Sequence, residues 1–321
     1  MADQEEKLVL KPEVIKKYLS NFDYTPDREN MQFLHLILAN KRIEALNNSV
    51  LEAKHVTFLD LSNNNVVDVN ILQQLTGLVK LNLAKNKIKS IGMFSNEENF
   101  PNLKWLDISN NKYTELVGIK CQKLEYLDIS YNRLEKVNES WNGPNNSIKI
   151  LKSVDNKFKN LAPFKDMKKL EELYLESNVI TNLNGYENLP ELRKLHLRKN
   201  KIDKIDEEFP ELPNLQYLNL RSNKLPNIEN FVRLFNYPNL TDINVLSCPI
   251  ERNASSINLL IAEILFVNPK IKRFCKIEIT DQHRLEAVYL QQFKWRKSED
   301  ERIKREEEER KKAELEGDND N

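Results

Sequence analysis

The stretch LEELYLESNVITNL, residues 170–183, contains the pattern that decides the fold. It places leucine at positions 1, 4, 6 and 14 of a unit, asparagine at position 9 and isoleucine at position 11. The unit recurs in register at spacings of 21 to 25 residues, too regularly to be chance, which predicts a repeat protein. The ten units begin at Phe33, Val56, Leu78, Leu103, Leu124, Ile148, Leu170, Leu192, Leu215 and Leu240.

The spacing of the leucines indicates what each unit folds into. Positions 4 and 6 alternate and therefore point to the same side of a short strand. The apolar residues at positions 11 and 14 belong to a return arc that folds over that side, and stacked units bury a continuous core. The sequence therefore predicts a leucine-rich repeat solenoid of the α/β class. We expect a concave parallel β-sheet, a helical N-terminal cap, a C-terminal repeat cap and a charged C-terminal helix.

The asparagine at position 9 predicts a structural ladder. Where the chain leaves the strand and turns inward, buried backbone groups need hydrogen-bond partners, and a side-chain amide supplies them. Lys41 replaces this asparagine in the first repeat and Cys248 in the last, as is common for the atypical ends of solenoids. The ladder residues are Asn64, Asn86, Asn111, Asn132, Asn156, Asn178, Asn200 and Asn223.

Departures from the repeat divide the chain into five segments. The stretch 11–21 carries Pro12 and an apolar stripe, which predicts a capping helix. Residues 254–274 predict a serine-capped helix and a final strand-like piece, and a local distortion is expected at 139–147. The segments are 1–32 (N-terminal cap), 33–250 (solenoid), 251–280 (C-terminal cap), 281–316 (charged helix) and 317–321 (disordered tail).

The charged helix has too few apolar residues for a coiled-coil seam. Its first part, 285–296, is predicted to pack on the end of the solenoid. Its second part, 297–316, is predicted to project as a rod that partners contact. The packing residues in this prediction are Leu285, Val288, Tyr289 and Phe293.

Composition and motifs argue against enzymatic chemistry. Six scattered glycines form neither GxGxxG nor a P-loop, and the four histidines lack metal-ligand spacing. Three separated cysteines, an acidic start without an apolar leader and no long apolar run predict reduced thiols, no secretion signal and no membrane insertion. Zero net charge weakens the case for direct nucleic-acid binding. We therefore expect no catalytic residues, no metal and no cofactor, and a cytoplasmic or cytoskeletal protein.

Positions 3 and 5 alternate with the buried leucines, so their side chains are predicted to point out of the concave sheet. Exposed aromatic residues beside acids favour a partner site for a basic, partly apolar segment; the alternative is that the aromatic rings only stack to stabilise the sheet. The first half carries Phe58, Asp60, Trp105, Asp107, Tyr126 and Asp128. The second half carries Tyr174 and Tyr217 and a predicted basic patch of Arg193, Lys194, His196, Arg198 and Arg221.

The chain resembles the leucine-rich repeat protein family of ciliary radial spokes, within the phosphatase-regulator-like class of repeats. The matching stretches are LKPEVIKKYLS (10–20), LHLRKNKID (195–203), LQYLNLRSNKL (215–225), NPKIKRF (268–274) and the Glu/Arg-rich tail. The resemblance implies a structural component of the axonemal radial spoke that contacts other spoke proteins. The alternatives are a regulatory subunit that binds a protein phosphatase on the concave face, and an adaptor for an RNA-binding protein.

Overall fold

The computed structural model describes residues 8–317 except for 26–27, 139–140, 142–146, 184, 186–187, 206–210, 229–230, 232–233 and 235–236. Most of the predicted distortion at 139–147 and most of the predicted disordered tail therefore lie outside the described residues. Ten strands run parallel, one at each predicted repeat, and form the concave sheet. They are β2 (Met31–Ile37), β3 (Phe58–Asp60), β4 (Lys80–Asn82), β5 (Trp105–Asp107), β7 (Tyr126–Asp128), β9 (Ile150–Lys152), β10 (Glu172–Tyr174), β11 (Lys194–His196), β12 (Tyr217–Asn219) and β13 (Asp242–Asn244).

The register of these strands stacks equivalent positions of the repeats. Leu173 lies opposite Leu151 on one side and Leu195 on the other, and all three are buried. The return arcs contain short 3₁₀ helices or extended backbone, and two of them pair as a small second sheet. These arc elements are 3₁₀ helices at Asn48–Ala53, Asn70–Gln74, Gly92–Ser95 and Ala162–Phe164, and strands β6 (Glu115–Leu116) and β8 (Lys136–Val137).

The predicted asparagine ladder is confirmed. The side-chain amide of Asn178 donates to the carbonyl oxygens of Ser153 at 2.8 Å and Leu175 at 3.1 Å, and its Oδ1 accepts from the backbone N–H of Phe158 at 3.1 Å. Each ladder side chain thus connects neighbouring turns through buried backbone groups. In the last turn Cys248 occupies the ladder position, and its Sγ donates to the carbonyl oxygen of Leu220 at 3.2 Å.

The N-terminal cap differs from its prediction. The helix α1 covers only Pro12–Lys17, and residues Leu19–Tyr24 form a strand, β1, antiparallel to β2. A helix over 11–21 is therefore wrong beyond Lys17, because an antiparallel strand covers the open edge of the sheet and pairs its backbone groups. Ile15 is the fully buried residue of the predicted stripe.

The C-terminal cap has the predicted order. Helices α2 (Pro249–Asn253) and α3 (Ile257–Val267) are followed by a hairpin of β14 (Arg273–Phe274) and β15 (Ile277–Glu278), whose first strand extends the sheet beside β13. The Ser256 hydroxyl caps α3 by accepting from the backbone N–H of Leu259 at 3.1 Å. The last helix, α4, runs over Asp281–Gly317.

The first part of α4 does pack on the cap, but through the opposite face from the one predicted. Ala287 is buried, Leu290 packs against the core, and Lys294 Nζ lies 3.0 Å from Glu263 Oε1 of α3. The helical phase that places 287, 290 and 294 against α3 turns the predicted packing residues away from it. Those residues, between 47% and 66% exposed, are Leu285, Val288, Tyr289 and Phe293. In the part of the chain that the structure describes, no helix combines the length and the apolar character needed to span a bilayer.

Candidate partner-binding surface on the concave face

The first-half aromatic residues do not form one cluster. Trp105 and Tyr126 lie on adjacent strands and stack in parallel, with ring centroids 5.2 Å apart and planes 8° apart. Phe58 is separated from them by strand β4, which presents Lys80 at the same position. Phe58 instead contacts the ring of His35 edge-on at 5.2 Å. The predicted sector therefore divides into a central pair and a residue near the N-terminal edge.

The three predicted aspartates make a local hydrogen bond to the backbone that the sequence analysis did not predict. Asp60, Asp107 and Asp128 each use Oδ1 to accept the backbone N–H two residues ahead, at 2.8 to 2.9 Å. Asn82, Asn219 and Asn244 do the same at this position of other repeats. Asp or Asn recurring at position 5 was the available signal, since both residue types favour this local turn. The second oxygen of Asp128 accepts a hydrogen bond from the Tyr126 hydroxyl at 3.4 Å.

A lysine that was absent from the predicted site lies at its centre. The Lys152 ammonium sits 5.2 Å from the ring centroid of Tyr126 and 5.6 Å from that of Tyr174. Burial lowers its pKa, but the Tyr126 hydroxyl and the nearby charges of Asp128 and Asp107 outweigh burial and raise it overall. This lysine joins the two predicted sectors into one surface.

Burial is also the main influence on the pKa of Asp107. It raises the pKa of Asp107 above its ordinary value, and the neighbouring Asp128 raises it further. Hydrogen bonds from Ser109 and the charge of Lys152 act in the opposite direction without cancelling the rise. The stacked rings and the two aspartates thus form a partly desolvated surface of acidic character.

The predicted basic patch is largely neutralised by the preceding repeat. Lys194 Nζ lies 2.8 Å from Glu172 Oε1, and His196 Nδ1 lies 3.3 Å from Glu176 Oε1. A third pair joins Arg193 and Glu171 at 3.9 Å. These acids stand 20 to 22 residues upstream of their partners, which is the distance that brings residues side by side in this solenoid. Two residues of the predicted patch, Arg198 and Arg221, lack such a carboxylate among the described residues.

Three aromatic rings lie in contact across the same region, the first two stacked at 19° and the last two tilted at 37°. The His196 ring lies between Tyr174, at a centroid distance of 4.3 Å, and Tyr217, at 4.9 Å. The Tyr174 hydroxyl donates to Glu172 Oε2 at 2.6 Å. Burial, followed by the charge of Glu172, raises the pKa of Tyr174 well above its ordinary range. The predicted residues Tyr174, His196 and Tyr217 are therefore brought together, as a column of rings.

An apolar surface at the N-terminal edge was not predicted. The hairpin of β1 and β2 pairs Phe22 with Phe33 and Tyr24 with Met31, on the same face as His35. These four apolar side chains are between 43% and 57% exposed. The alternation Met31, Phe33, His35 was a usable signal for β2, whereas the strand partner β1 could not be predicted.

The described residues contain no group of three or more His, Cys, Asp or Glu side chains placed to hold a metal ion. The three cysteines are buried and free. Burial raises the pKa of the Cys121 thiol to about 12 and that of Cys275 to about 11. Such thiols are poor nucleophiles at neutral pH.

Comparisons with known proteins agree with this architecture. The family described as Leucine rich repeat matches residues 76–134, 155–202 and 190–250, and that described as Leucine Rich repeats (2 copies) matches 54–96. Human oligodendrocyte-myelin glycoprotein is 28% identical over 168 residues, covering 50% of this chain and 36% of that protein. Tsukushi from Gallus gallus is 27% identical over 150 residues, covering 44% and 40%.

A solved structure described as the TLR13–ssRNA13 complex aligns with a TM-score of 0.60 at 21% identity, covering 80% of this chain and 40% of that one. This likeness concerns the fold. The chain spans well under two thirds of the length of each of these proteins. The two leucine-rich repeat descriptions together match more than half of the chain, in register with the observed strands. The chain belongs to the leucine-rich repeat proteins.

Proposed function

We propose that this chain is a structural scaffold of the axonemal radial spoke, and that it binds a partner protein on its concave face. The observation that carries the binding proposal is the stacked Trp105–Tyr126 pair, flanked by Asp107 and Asp128. Large aromatic residues on a rigid surface dominate binding energy at protein interfaces. The rings are only half-buried, so a partner side chain can cover them.

The charges of this surface favour a partner segment with both basic and apolar side chains. Asp107 and Asp128 lie beside the stacked rings, where Asp128 Oδ2 accepts from the Tyr126 hydroxyl at 3.4 Å, while Lys152 is held over the tyrosine rings. A cationic side chain lying against Trp105 would gain cation–π contact and carboxylate contact together. This combination selects for lysine or arginine next to an apolar residue.

The same charges favour a protein over a nucleic acid. Nucleic-acid surfaces are built from many cations that neutralise phosphates. Here the net charge is zero, and Arg193, Lys194 and His196 already face carboxylates. The TLR13 structure is described as a complex with single-stranded RNA, but its likeness to this chain concerns the fold alone.

The spoke assignment is supported by the family resemblance in the stretches 10–20, 195–203, 215–225 and 268–274. The long helix α4 suits such a role, because its side chains from 297 to 311 are almost all exposed and charged. A helix of this kind is available for contacts with other components. We therefore propose the cilium axoneme as the site of action.

The binding proposal is tested with the double variant Trp105→Ala, Asp107→Lys. We expect partner binding to weaken by at least about 2 kcal/mol, as for other interface hot spots. Tyr131→Ala is the matched control, because Tyr131 is an exposed aromatic residue outside the strands of the sheet. Circular dichroism spectra of both variants should equal that of the wild type. Full recovery of the partner by the double variant in a pull-down would place the binding surface elsewhere.

The location is tested separately, with the tagged protein in a ciliated cell. We expect the tagged chain to stay with axonemes after detergent extraction. A protein that is washed out and copurifies with a phosphatase catalytic subunit would contradict the spoke proposal and support the phosphatase-regulator alternative.

A further inference from the structure

Two arginines and one glutamate form a row beside the C-terminal ends of three neighbouring strands of the concave sheet. Glu176, Arg198 and Arg221 occupy position 7 of three successive repeats, each two residues after the end of strand β10, β11 or β12. The backbone N–H of Ser177 donates to the carbonyl oxygen of Arg198 at 2.9 Å, and that of Lys199 donates to the carbonyl oxygen of Arg221 at 2.9 Å. The three side chains therefore leave the backbone in register, at the spacing of about 5 Å that separates neighbouring strands.

The two guanidinium groups differ from the other cations in this part of the face. Lys194, Arg193 and Arg273 each have a carboxylate partner. Across the described residues, Arg198 and Arg221 have none, and the Nε atom of each is buried without a hydrogen-bond acceptor. A buried donor without an acceptor costs about 1–3 kcal/mol, and more when it is charged. The Nε donor of each guanidinium group is therefore unsatisfied by the described residues.

Glu176 does not supply the missing charge to both arginines. One of its oxygens, Oε1, faces Nδ1 of His196, while Oε2 is buried without a donor. A single carboxylate balances at most one of the two guanidinium groups. On the far side of Arg221 the next position-7 residue is Leu246, which carries no charge. The row therefore keeps a surplus positive charge at Arg221.

We propose that Arg198 and Arg221 form an oxyanion subsite on the concave face, which receives a phosphate or carboxylate group carried by a bound protein segment. Two planar guanidinium groups in register can present parallel N–H donors to such a group, which is the preferred geometry for arginine and oxyanions. The rings of Tyr174, His196 and Tyr217 lie on the same three strands as the row, so that segment can contact them as well. The subsite rests on the proposed function only in that the concave face is the partner surface.

The test is a titration of the full chain with inorganic phosphate and, separately, with sodium acetate at constant ionic strength. The readout is the NMR signals of the arginine Nε–H groups, followed by amide signals of the concave strands. We expect saturable shifts at Arg198 and Arg221 with one or both anions. A stronger response to phosphate favours a phosphorylated side chain as the source of the anion, and a stronger response to acetate favours a carboxylate.

Three variants make the test specific. The double variant Arg198→Gln, Arg221→Gln should weaken the apparent binding of the effective anion at least about tenfold, since both charge-assisted bonds are lost. Arg133→Gln removes the same charge from an exposed residue outside the concave strands and should change binding by less than about twofold. Glu176→Gln removes the neighbouring negative charge and should tighten binding about threefold.

Absence of saturable shifts with both anions would overturn the subsite, as would equal weakening by Arg133→Gln and the double variant. Weaker binding in Glu176→Gln would also contradict it. The titration needs no partner protein, so it is independent of the Trp105 and Asp107 test. If anion binding is absent while that test shows loss of the partner, the subsite is wrong and the scaffold proposal stands.

Discussion

Replacing Asn178 by alanine should destabilise the solenoid through the loss of buried backbone hydrogen bonds. The side chain lies almost fully buried in the middle of the ladder. Its amide nitrogen donates to the carbonyl oxygens of Ser153 and Leu175, and its Oδ1 accepts from the backbone N–H of Phe158. Three backbone groups, two of them in the preceding repeat, therefore lose their partner together.

The magnitude follows from that number of bonds. Each intramolecular hydrogen bond contributes about 0.5–1.5 kcal/mol, so three of them amount to about 3 kcal/mol. Alanine also leaves a space that water enters only in part, which keeps the loss near this value. With a urea dependence of about 3 kcal/mol per molar for a chain of this size, the unfolding midpoint should fall by about 1 M.

The assay is urea unfolding of the full chain, followed by circular dichroism. The control is Lys199→Ala, where an exposed side chain is removed and the expected change is under about 0.5 kcal/mol. Lysine and alanine both carry a Cβ, so the left-handed backbone at Lys199, with φ of 56°, affects the two alike. Equal midpoints for Asn178→Ala and Lys199→Ala would refute the ladder argument.

Three further perturbations test other parts of the structure. Deleting 297–321 should leave the melting temperature of the repeat domain almost unchanged but reduce retention in the axoneme; a large drop in melting temperature would show that this segment stabilises the solenoid. Ala287→Asp should lower the thermal stability of the C-terminal cap, whereas Leu285→Ala, on the opposite face of α4, should hardly change it, and the reverse order would contradict the observed helix phase. Asp107→Asn should raise the urea midpoint at neutral pH, because burial raises the pKa of Asp107 and the ionised form therefore destabilises the folded state. That gain should shrink as the pH falls and the aspartate of the wild type becomes protonated; a gain that is independent of pH would exclude this cause.

The sheet and its core were predictable because equivalent positions of successive repeats pair with one another, so the repeat spacing sets the strand register. Once Leu170, Leu173 and Asn178 are aligned with the other nine units, the strand, the buried face and the ladder follow from alternation and from the need to satisfy buried backbone groups. Neighbouring repeats supply each other's packing, so no long-range information is needed. The observed pairing of Leu173 with Leu195 has this origin.

The ends were less predictable because no repeat constrains them. Strand β1 pairs Leu19 with Leu36, but its residues read equally well as the continuation of α1. For α4, apolar side chains lie on several faces of the helix, so the sequence alone does not determine which face meets α3. Docking of Arg284 onto the carbonyl oxygens of Pro269 and Ile271 helps to set that phase.

For the concave site, the sequence predicted which residues face the concave side but not which residues they contact. Alternation correctly identified Trp105, Tyr126 and His196 as facing residues, while their partners depended on the neighbouring repeat. Lys194 was assigned to a basic patch because it was considered along its own repeat, although Glu172 stands 22 residues upstream and in register. Comparing each facing residue with residues one repeat away would have revealed this pair.

The same geometry explains where specificity can reside on this surface. A solenoid brings residues about one repeat apart into contact, so some facing charges neutralise one another within the chain, as Glu172 and Lys194 do. Such pairs contribute little to choosing a partner, because exposed ion pairs are weak and are already satisfied. What remains for recognition are the facing groups that the neighbouring repeat does not satisfy. On this face they include the stack of Trp105 and Tyr126 and the guanidinium groups of Arg198 and Arg221. The aromatic stack and the arginine pair lie on opposite sides of strands β9 and β10, which carry Lys152 and Tyr174. This separation favours an extended partner segment that runs across the sheet. Such a segment would have cationic and apolar side chains at one end and an anionic group at the other.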